Sequence, residues 1–477
     1  ELLFMSKKPN VLIFFTDDQR HDTIHAMGND EIITPNLDEF SKDCIAFTQG
    51  HIMGGTCGAV CMPSRAMLQT GRDLFSLHST GRRNGAFIPT EHTTLPECLK
   101  QNGYHTHHIG KWHQDRASFH RSYSNADRVF GFHKNGQWYG SMGGHFNPCL
   151  LDFDPTGKYD AEHSYHLDEN HEKIPADFGT GKVHSTDIFC DAAVDLISNY
   201  DNEKPLYLYL SMVAPHDPRT APPEFEEMYN TQNVSTPQNF MPLHPFDNGE
   251  LYNRDEQLEF FPRTKQAVRR HIADYYGMIS HIDNRFGDVI KALKDKGMYD
   301  DTIIIFAGDN GLALGQHGLM GKQSMYEHSI RVPLMLKPVG EYTARHTDAF
   351  AYLFDIFPTI CDMCGVEKPE SVNGKSFVDI LNNKKENVRE DIFSAYRNIQ
   401  RCYKNHKYKI IEYYVKGKTI TQLFDLENDK IELNNLAEKE EYKDILDEMK
   451  EKLKKSQIKY NDPLVTLPKE VLELDVW

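Results

Sequence analysis

The sequence predicts an α/β fold, a large mixed sheet flanked by helices, followed by a small C-terminal α+β subdomain. Four runs have the length of buried strands: 11–16, 206–214 and 302–308, which are apolar, and 105–110, which is His-Thr-His-His-Ile-Gly. Stretches with helical patterning separate these runs, as in a sheet covered on both faces. After residue 390, short strand-like runs follow one another and a charged helix ends the pattern. We therefore expect an α/β domain at 1–385 and a subdomain of short antiparallel strands plus a helix at 386–477.

The composition excludes several classes of protein. Among the 477 residues, 53 Lys and Arg face 70 Asp and Glu, which gives a formal net charge of −17. Such a charge opposes general attraction to nucleic acid or to an anionic membrane. No apolar run approaches the roughly 20 residues that cross a bilayer. We therefore expect neither a nucleic-acid partner nor a membrane span, and the nine scattered cysteines do not form the pattern of a disulfide scaffold.

Polar residues follow each of these four strand-like runs. They are Asp17 and Asp18, Lys111 to His113, His216, and Asp309 with Asn310. In open α/β sheets the ligand crevice lies beyond the carboxyl ends of the strands. We therefore expect all four groups to meet at one edge of the sheet.

Helical spacing and loop composition complete the layout. Apolar residues from Thr264 to Lys296 form one long amphipathic stripe that Gly297 ends. A second, charged helix is expected around 440–455. The segments 131–181 and 215–262 are rich in His, Pro, Asn and Gly, and we expect loops over the crevice there.

The most specific local pattern is Cys61-Met-Pro-Ser-Arg65, which is followed by Gly71 at a suitable helix end. Pro63 suits a first helical turn, so Cys61 is expected just ahead of a helix N-terminus, where anions are favoured and the pKa of a thiol is lowered. Cys61 and Arg65 are separated by three residues, whereas the loop of the cysteine phosphatases needs five. A cysteine phosphatase is thereby disfavoured.

The pattern around Cys61 resembles the signature of the type I sulfatases, in which this cysteine is oxidised to formylglycine. The resemblance extends over most of the chain. Its further elements are the opening PNVLIFFTDD, the G-K-W-H at 110–113, the G-D-N-G at 308–311, Lys322 ahead of Y-E-x-x-x-R-V-P, and the segment 423–437. Ordered matches at these separations make coincidence implausible. The resemblance implies an alkaline-phosphatase-like sheet and a carbohydrate or glycosaminoglycan sulfatase.

A metal site is expected at the two acidic strand ends. Its oxygen ligands would be Asp17, Asp18, Asp309 and Asn310. Carboxylates with an amide carbonyl favour Ca²⁺, with Mg²⁺ second. By resemblance, a hydroxyl of the hydrated aldehyde made from Cys61 would also face the cation.

The remaining roles combine residue chemistry with the resemblance. Arg65 cannot lose its proton and suits fixing the nucleophile and the sulfate, while Lys111 and Lys322 supply positive charge to the transition state. By resemblance, Asp309 accepts the proton of the nucleophile and His113 that of the remaining hydroxyl. His216 contacts the sulfate, and either it or Lys322 protonates the leaving alcohol.

The expected substrate is a sulfated saccharide cleaved by exo action, first a uronic acid 2-O-sulfate and second a hexosamine 6-O-sulfate. Two other functions stay open: a phosphonate or phosphate monoester hydrolase with the same aldehyde, and a sulfated-glycan binding protein whose Cys61 is never oxidised. Several basic residues either surround the sugar or only form salt bridges: His78, Arg82, Arg83, His107, Arg116, His120 and Arg121. A formylglycine-generating maturation enzyme is an expected partner. We expect a periplasmic or secreted location, although no signal peptide is visible, and a cytoplasmic one stays open.

Overall fold

The computed structural model describes residues 8–77, 86–134, 137–139, 145–146, 150, 165–167, 173–175 and 182–466. Its strands are β1 Asn10–Thr16, β2 Ile45–His51, β3 Gly54–Gly55, β4 His105–Lys111, β5 Asn125–Phe130, β6 Phe132–Lys134, β7 Gln137–Tyr139, β8 Tyr165–Leu167, β9 Lys173–Pro175, β10 Leu206–Ser211, β11 Thr302–Gly308, β12 Leu334–Lys337, β13 Arg345–Tyr352, β14 Ile392–Tyr396, β15 Gln400–Lys404, β16 Tyr408–Val415 and β17 Lys418–Asp425.

Its helices are α1 Pro35–Ser41, α2 Cys61–Thr70, α3 Leu95–Gln101, α4 Arg116–Ser122, α5 Ser185–Ser198, α6 Pro223–Glu226, α7 Lys265–Asp295, α8 Glu327–Ile330, α9 Ile356–Cys364, α10 Val378–Leu381, α11 Lys443–Lys459 and α12 Pro463–Thr466. No helix within the described ranges combines the length and the apolar character that a bilayer crossing needs.

The large sheet has eight strands in the order β13-β2-β12-β11-β1-β10-β4-β5. The four predicted runs form β1, β4, β10 and β11, which pair in parallel, while β12 pairs antiparallel with both of its neighbours. Both faces of β1 are buried: Leu12 and Phe14 pack with α5 and α7, whereas Val11, Ile13 and Phe15 pack on the other side. The predicted mixed sheet flanked by helices is confirmed.

The long helix α7 confirms the predicted amphipathic segment almost to the residue. Thr264 caps its N-terminus by accepting a hydrogen bond from the backbone N–H of Ala267. Gly297 follows its end with φ of +71°, a conformation that glycine adopts without steric cost. The helix α11 begins three residues later than the predicted start at 440 and ends at Lys459.

A second sheet has the order β17-β16-β15-β14-β3. Strands β14 to β17 are antiparallel neighbours, and α11 packs on β15 and β16. The short strand β3, at Gly54–Gly55, pairs with β14 and ties this sheet to the segment before Cys61. The expected C-terminal α+β arrangement is confirmed, while the division at residue 385 stays a prediction.

Acid is expected to destabilise the protein through His108. Its ring packs against Phe119 and Tyr123, its Nε2 donates to the carbonyl of Gly110, and burial lowers its pKa to about 3. Below pH 6.5 the unfolded chain binds a proton here that the folded chain does not, so stability is lost toward pH 3 by up to about 1.4 kcal/mol per pH unit. Urea unfolding at pH 7 and 4.5 should show a smaller acid loss for His108→Phe than for the wild type. The same change at the exposed His25 should leave the loss unaltered, and equal losses in all three proteins would contradict the assignment.

Candidate active site

The ends of β1 and β11 bring three carboxylates together. Thr16 and Gly308 are partners in the parallel register, so the residues that follow them leave the sheet side by side. The backbone N–H of Asp309 donates to the carbonyl of Thr16 at 3.1 Å, and that of Asp18 donates to Asp309 Oδ1 at 2.9 Å. Asp18 has φ of +65°, an uncommon conformation for a residue with a side chain. The strained turn aims both β1 carboxylates at the end of β11.

The helix α2 delivers Cys61 to the same edge. Cys61 is its first residue, one position inside the predicted place, and the whole helix is buried. The hydroxyl of Ser64 donates to the carbonyl of Asp309 at 2.6 Å. Arg65 donates from Nε to Asp309 Oδ2 at 2.8 Å and from a terminal nitrogen to Ser211 Oγ at 2.5 Å. These bonds hold the N-terminal turn of α2 against the ends of β10 and β11.

Two lysines and a histidine surround the sulfur. The Nζ atoms of Lys111 and Lys322 each lie 4.0 Å from Cys61 Sγ, and His113 Nδ1 lies 3.5 Å from it. Lys111 forms an ion pair with Asp17, and Lys322 Nζ lies 2.7 Å from Asp18 Oδ1. His113, like Asp18, has a left-handed backbone, with φ of +73°. The cluster is therefore compact, buried and rich in paired charge.

His216 lies at the outer side of the cluster. Its Nδ1 donates to the carbonyl of Asp217 at 2.8 Å, which leaves Nε2 directed at Asp18 Oδ2, 3.8 Å away. The buried His145 supports the loop by binding the carbonyl of His216 at 2.8 Å. The four predicted strand-end groups thus meet at one edge of the sheet.

Burial dominates the electrostatics of Cys61. It raises the pKa of the thiol to about 12, although Lys111 and Lys322 act in the opposite direction. The expectation that the helix N-terminus would lower this pKa is therefore wrong, because removal of solvent outweighs the nearby positive charges. Cys61 as a thiol stays protonated at neutral pH.

The carboxylates differ in their ionisation. Burial opposes the charge on Asp17, but Lys111 and Arg65 outweigh it and hold its pKa well below the usual value. Burial and the nearby charge of Asp17 raise the pKa of Asp309. Asp17 and Asp309 thus share one site, but their pKa values are shifted in opposite directions.

The cluster has the ligands of a metal site. One ligand atom each from Asp17, Cys61 and Asp309 lies within 4.8 Å of the others. Within the part of the chain that the structure describes, Asp17 Oδ1 and Asn310 Oδ1 are buried without a hydrogen-bond partner, which is costly unless something binds them. Asp18 stands beside this group and receives bonds from Lys322 and from the amide of Asn310. The donor set therefore fits a hard cation, whose identity the geometry leaves open.

Other sequence candidates have different surroundings. His107 pairs with Asp127, Arg121 binds Glu97 and three carbonyl groups, and Arg116 bonds to His120. His78, Arg82 and Arg83, with most of the segment 131–181, lie outside the described residues. The 215–262 segment is described, and it reaches the site through Asp217 and Asp255.

Sequence reasoning missed Ser211, Arg254, Asp255 and Gln323. Ser211 anchors Arg65, and Gln323 donates to Asp255 Oδ2 at 2.6 Å beside Lys322. Position was the only available signal, since Ser211 ends β10 and Gln323 follows Lys322. Nothing in the local pattern of Arg254 or Asp255 distinguished them from surface charges.

Comparison with known proteins gives consistent matches. The Sulfatase family model matches residues 9–366, and the model described as N-sulphoglucosamine sulphohydrolase, C-terminal, matches residues 315–459. An arylsulfatase of Clostridium perfringens is 28% identical over 92% of this chain and 92% of its own length. An N-acetylglucosamine-6-O-sulfatase of Bacteroides thetaiotaomicron is 24% identical over 96% of this chain and 88% of its own.

A solved structure described as a complex with its substrate D-glucosamine-2-N,6-O-disulfate superposes with a TM-score of 0.74 at 21% identity. It covers 96% of this chain and 99% of its own, and it supports the fold.

The site places buried cationic side chains around one reactive side chain and one potential metal site. Such an arrangement suits the hydrolysis of an anionic ester, because it stabilises negative charge in the transition state. The chain belongs to the sulfatase family, and it is therefore a hydrolase of sulfuric esters. Its relatives include carbohydrate sulfatases.

Proposed function

We propose that residue 61 acts as a formylglycine and that the enzyme hydrolyses the sulfate ester of a carbohydrate. The position of Cys61 Sγ, 4.0 Å from two lysine Nζ atoms and 3.5 Å from His113, carries this proposal. The sulfur stands where a hydroxyl of the hydrated aldehyde would lie. Burial raises the pKa of the thiol to about 12, which makes the unmodified side chain a poor nucleophile and supports the modified one. The proposal includes a formylglycine-generating maturation enzyme as a partner.

The oxygen ligands are proposed to hold Ca²⁺, with Mg²⁺ as the second choice: Asp17, Asp18, Asp309 and Asn310. The two buried oxygens without partners support this assignment. Such a cation supplies Lewis-acid stabilisation of the negative charge on the sulfate.

The protein side chains would act in two stages. In the first, Asp309 accepts the proton of the attacking hydroxyl, and Arg65 holds that hydroxyl's oxygen as it bonds to sulfur. The sulfur–oxygen bond to the sugar breaks, and His216 or Lys322 gives the leaving alcohol its proton. In the second, His113 removes the proton of the other hydroxyl, so that the carbon–oxygen bond to sulfate breaks and the aldehyde returns. Lys111 and Lys322 stabilise charge throughout.

The proposed sugar is a uronic acid 2-O-sulfate at the non-reducing end of a glycosaminoglycan fragment. The net charge of −17 supports exo action, since it repels long polyanions. The hexosamine 6-O-sulfate is the alternative, and the N-acetylglucosamine-6-O-sulfatase relative supports it. We place the enzyme in the periplasm or outside the cell.

Sulfate release from defined saccharides tests this function. We expect a disaccharide with a terminal uronate 2-sulfate to be cleaved about tenfold to a hundredfold faster than an aryl sulfate, because charge-assisted hydrogen bonds to the carboxylate add about 1.5–3 kcal/mol. Preference for hexosamine 6-sulfate would overturn the sugar, and equal rates on the intact polymer would overturn exo action.

A matched phosphate ester and a mass spectrum complete this test. Faster release of phosphate than of sulfate from the same leaving group would favour a phosphonate or phosphate monoester hydrolase. Oxidation exchanges the sulfur and two hydrogens of Cys61 for one oxygen. A peptide of unaltered mass, with binding of sulfated sugar but no turnover, would instead indicate a glycan-binding protein.

A further inference from the structure

A cavity of about 530 Å³ lies between the segment 247–253 and the second sheet. Gly249 packs the segment onto the sheet so closely that an added Cβ would come within 2.7 Å of Ile399 Cδ1. Its φ of +90° also disfavours any other residue. The cavity is thus a consequence of how the 215–262 segment crosses the sheet, and its volume is in the range of ligand sites.

The lining suits a sugar ring. Leu251, Ile399 and Val415 provide apolar surface, and the ring of Tyr252 stands 81% exposed at the edge. Exposed aromatic rings with a polar end are typical of binding surfaces, because they offer a flat apolar face and a hydrogen-bonding group together. Asn253 also lines the cavity, and its amide is bound to Glu250 and to the backbone N–H groups of Asp255 and Glu256.

The charges of the lining are paired. Lys416 Nζ lies 2.7 Å from Asp247 Oδ2, and Glu250 Oε1 accepts from the hydroxyl of Tyr396 at 3.0 Å and lies 3.1 Å from Arg397. An uncharged sugar unit therefore suits the cavity better than a second sulfated one.

The same segment connects the cavity to the catalytic cluster. Immediately after Asn253, Arg254 binds Asp217, the neighbour of His216, and Asp255 binds Gln323. Glu250 also pairs with Arg397, whose guanidinium lies beside Gly58: a Cβ added to Gly58 would come within 3.3 Å of it. Gly58 is three residues before Cys61. One short segment thus borders both places.

We propose that this cavity is a subsite for the monosaccharide adjacent to the sulfated one, with Tyr252 as its stacking platform. The inference rests on the proposed carbohydrate sulfatase function and adds to it the unit beyond the cleaved ester. The preferred occupant is an uncharged N-acetylhexosamine.

Matched monosaccharide and disaccharide substrates test the subsite: uronate 2-sulfate with and without a linked N-acetylglucosamine, and N-acetylglucosamine-6-sulfate with and without a linked uronate. For Tyr252→Ala we expect the KM of whichever disaccharide the enzyme cleaves to rise about tenfold, while its kcat stays unchanged. The KM and kcat of the matching monosaccharide should also stay unchanged. Tyr252→Phe should retain the wild-type KM. Phe260→Ala is the control, since that ring is 88% exposed in the longer segment 215–262 but does not line the cavity.

Equal effects of Tyr252→Ala on both members of a pair, no effect on either, or the same effect from Phe260→Ala would overturn the subsite. Sulfate release by the wild type from none of the four compounds would instead refute the proposed glycosaminoglycan substrates. Calorimetry of the four compounds then still tests the cavity. The subsite is supported if the wild type binds the disaccharides more tightly than the monosaccharides and Tyr252→Ala abolishes that difference. It is rejected if Tyr252→Ala leaves the binding of the disaccharides unchanged.

Discussion

Replacing Cys61 by serine in a matured background is expected to lower kcat by about a thousandfold or more, because the change removes the nucleophile. Binding of sulfated sugar should persist, since Lys111, Lys322 and Arg65 remain in place. Cys61→Ala serves as a second variant, because its side chain cannot be oxidised to an aldehyde. Sulfate release measures the first effect, and calorimetry with the substrate measures the second.

Cys57 offers the matched control. It lies four residues before Cys61, is only partly buried, and bonds through its thiol to the carbonyl of Ala59. Cys57→Ser should retain activity. Loss of turnover in Cys57→Ser with full turnover in Cys61→Ser would refute the choice of nucleophile.

Removal of divalent cations is expected to lower activity and thermal stability together. The ligand carboxylates end two different strands, so a cation held there binds only the folded chain. A cation present at 100 times its dissociation constant would add about 2.7 kcal/mol to the free energy of unfolding. Melting temperature and sulfate release before and after EDTA, with Ca²⁺ added back, measure both effects. Unchanged values for both would refute the metal site.

Asn310→Ala makes this prediction specific. Its Oδ1 has no hydrogen-bond partner among the described residues, so its loss should raise the Ca²⁺ concentration for half-maximal activity about tenfold. Asn373→Ala is the comparison, since that amide binds Asp73 and Ser76 instead. Equal responses of the two variants would show that the effect is not one of ligation.

Local patterns predicted part of the fold: the four strands that lead into the site and the helices α2, α7 and α11. Apolar runs of six to nine residues predict β1, β10 and β11, because a strand buried on both faces favours apolar side chains at successive positions. The buried strand β4 departs from this pattern, since its run is His-Thr-His-His-Ile-Gly. The stripe of apolar residues between Thr264 and Gly297 predicts α7, because the face of a helix that packs on a core repeats with the helical period of 3.6 residues. The order of polar residues at the strand ends likewise predicts which side chains meet, since parallel strands bring their carboxyl ends to one edge.

Tertiary structure alone decided the contacts and the ionisation within the site. Asp18 and Lys322 are 304 residues apart, and no local pattern specifies that they pair. The pKa of Cys61 follows from burial by the whole fold, which outweighs the helix N-terminus that the sequence shows. The 247–253 cavity arises where a loop crosses a sheet formed far along the chain. Sequence patterns report the periodicity of single elements, whereas desolvation and cross-chain pairing depend on which elements pack together.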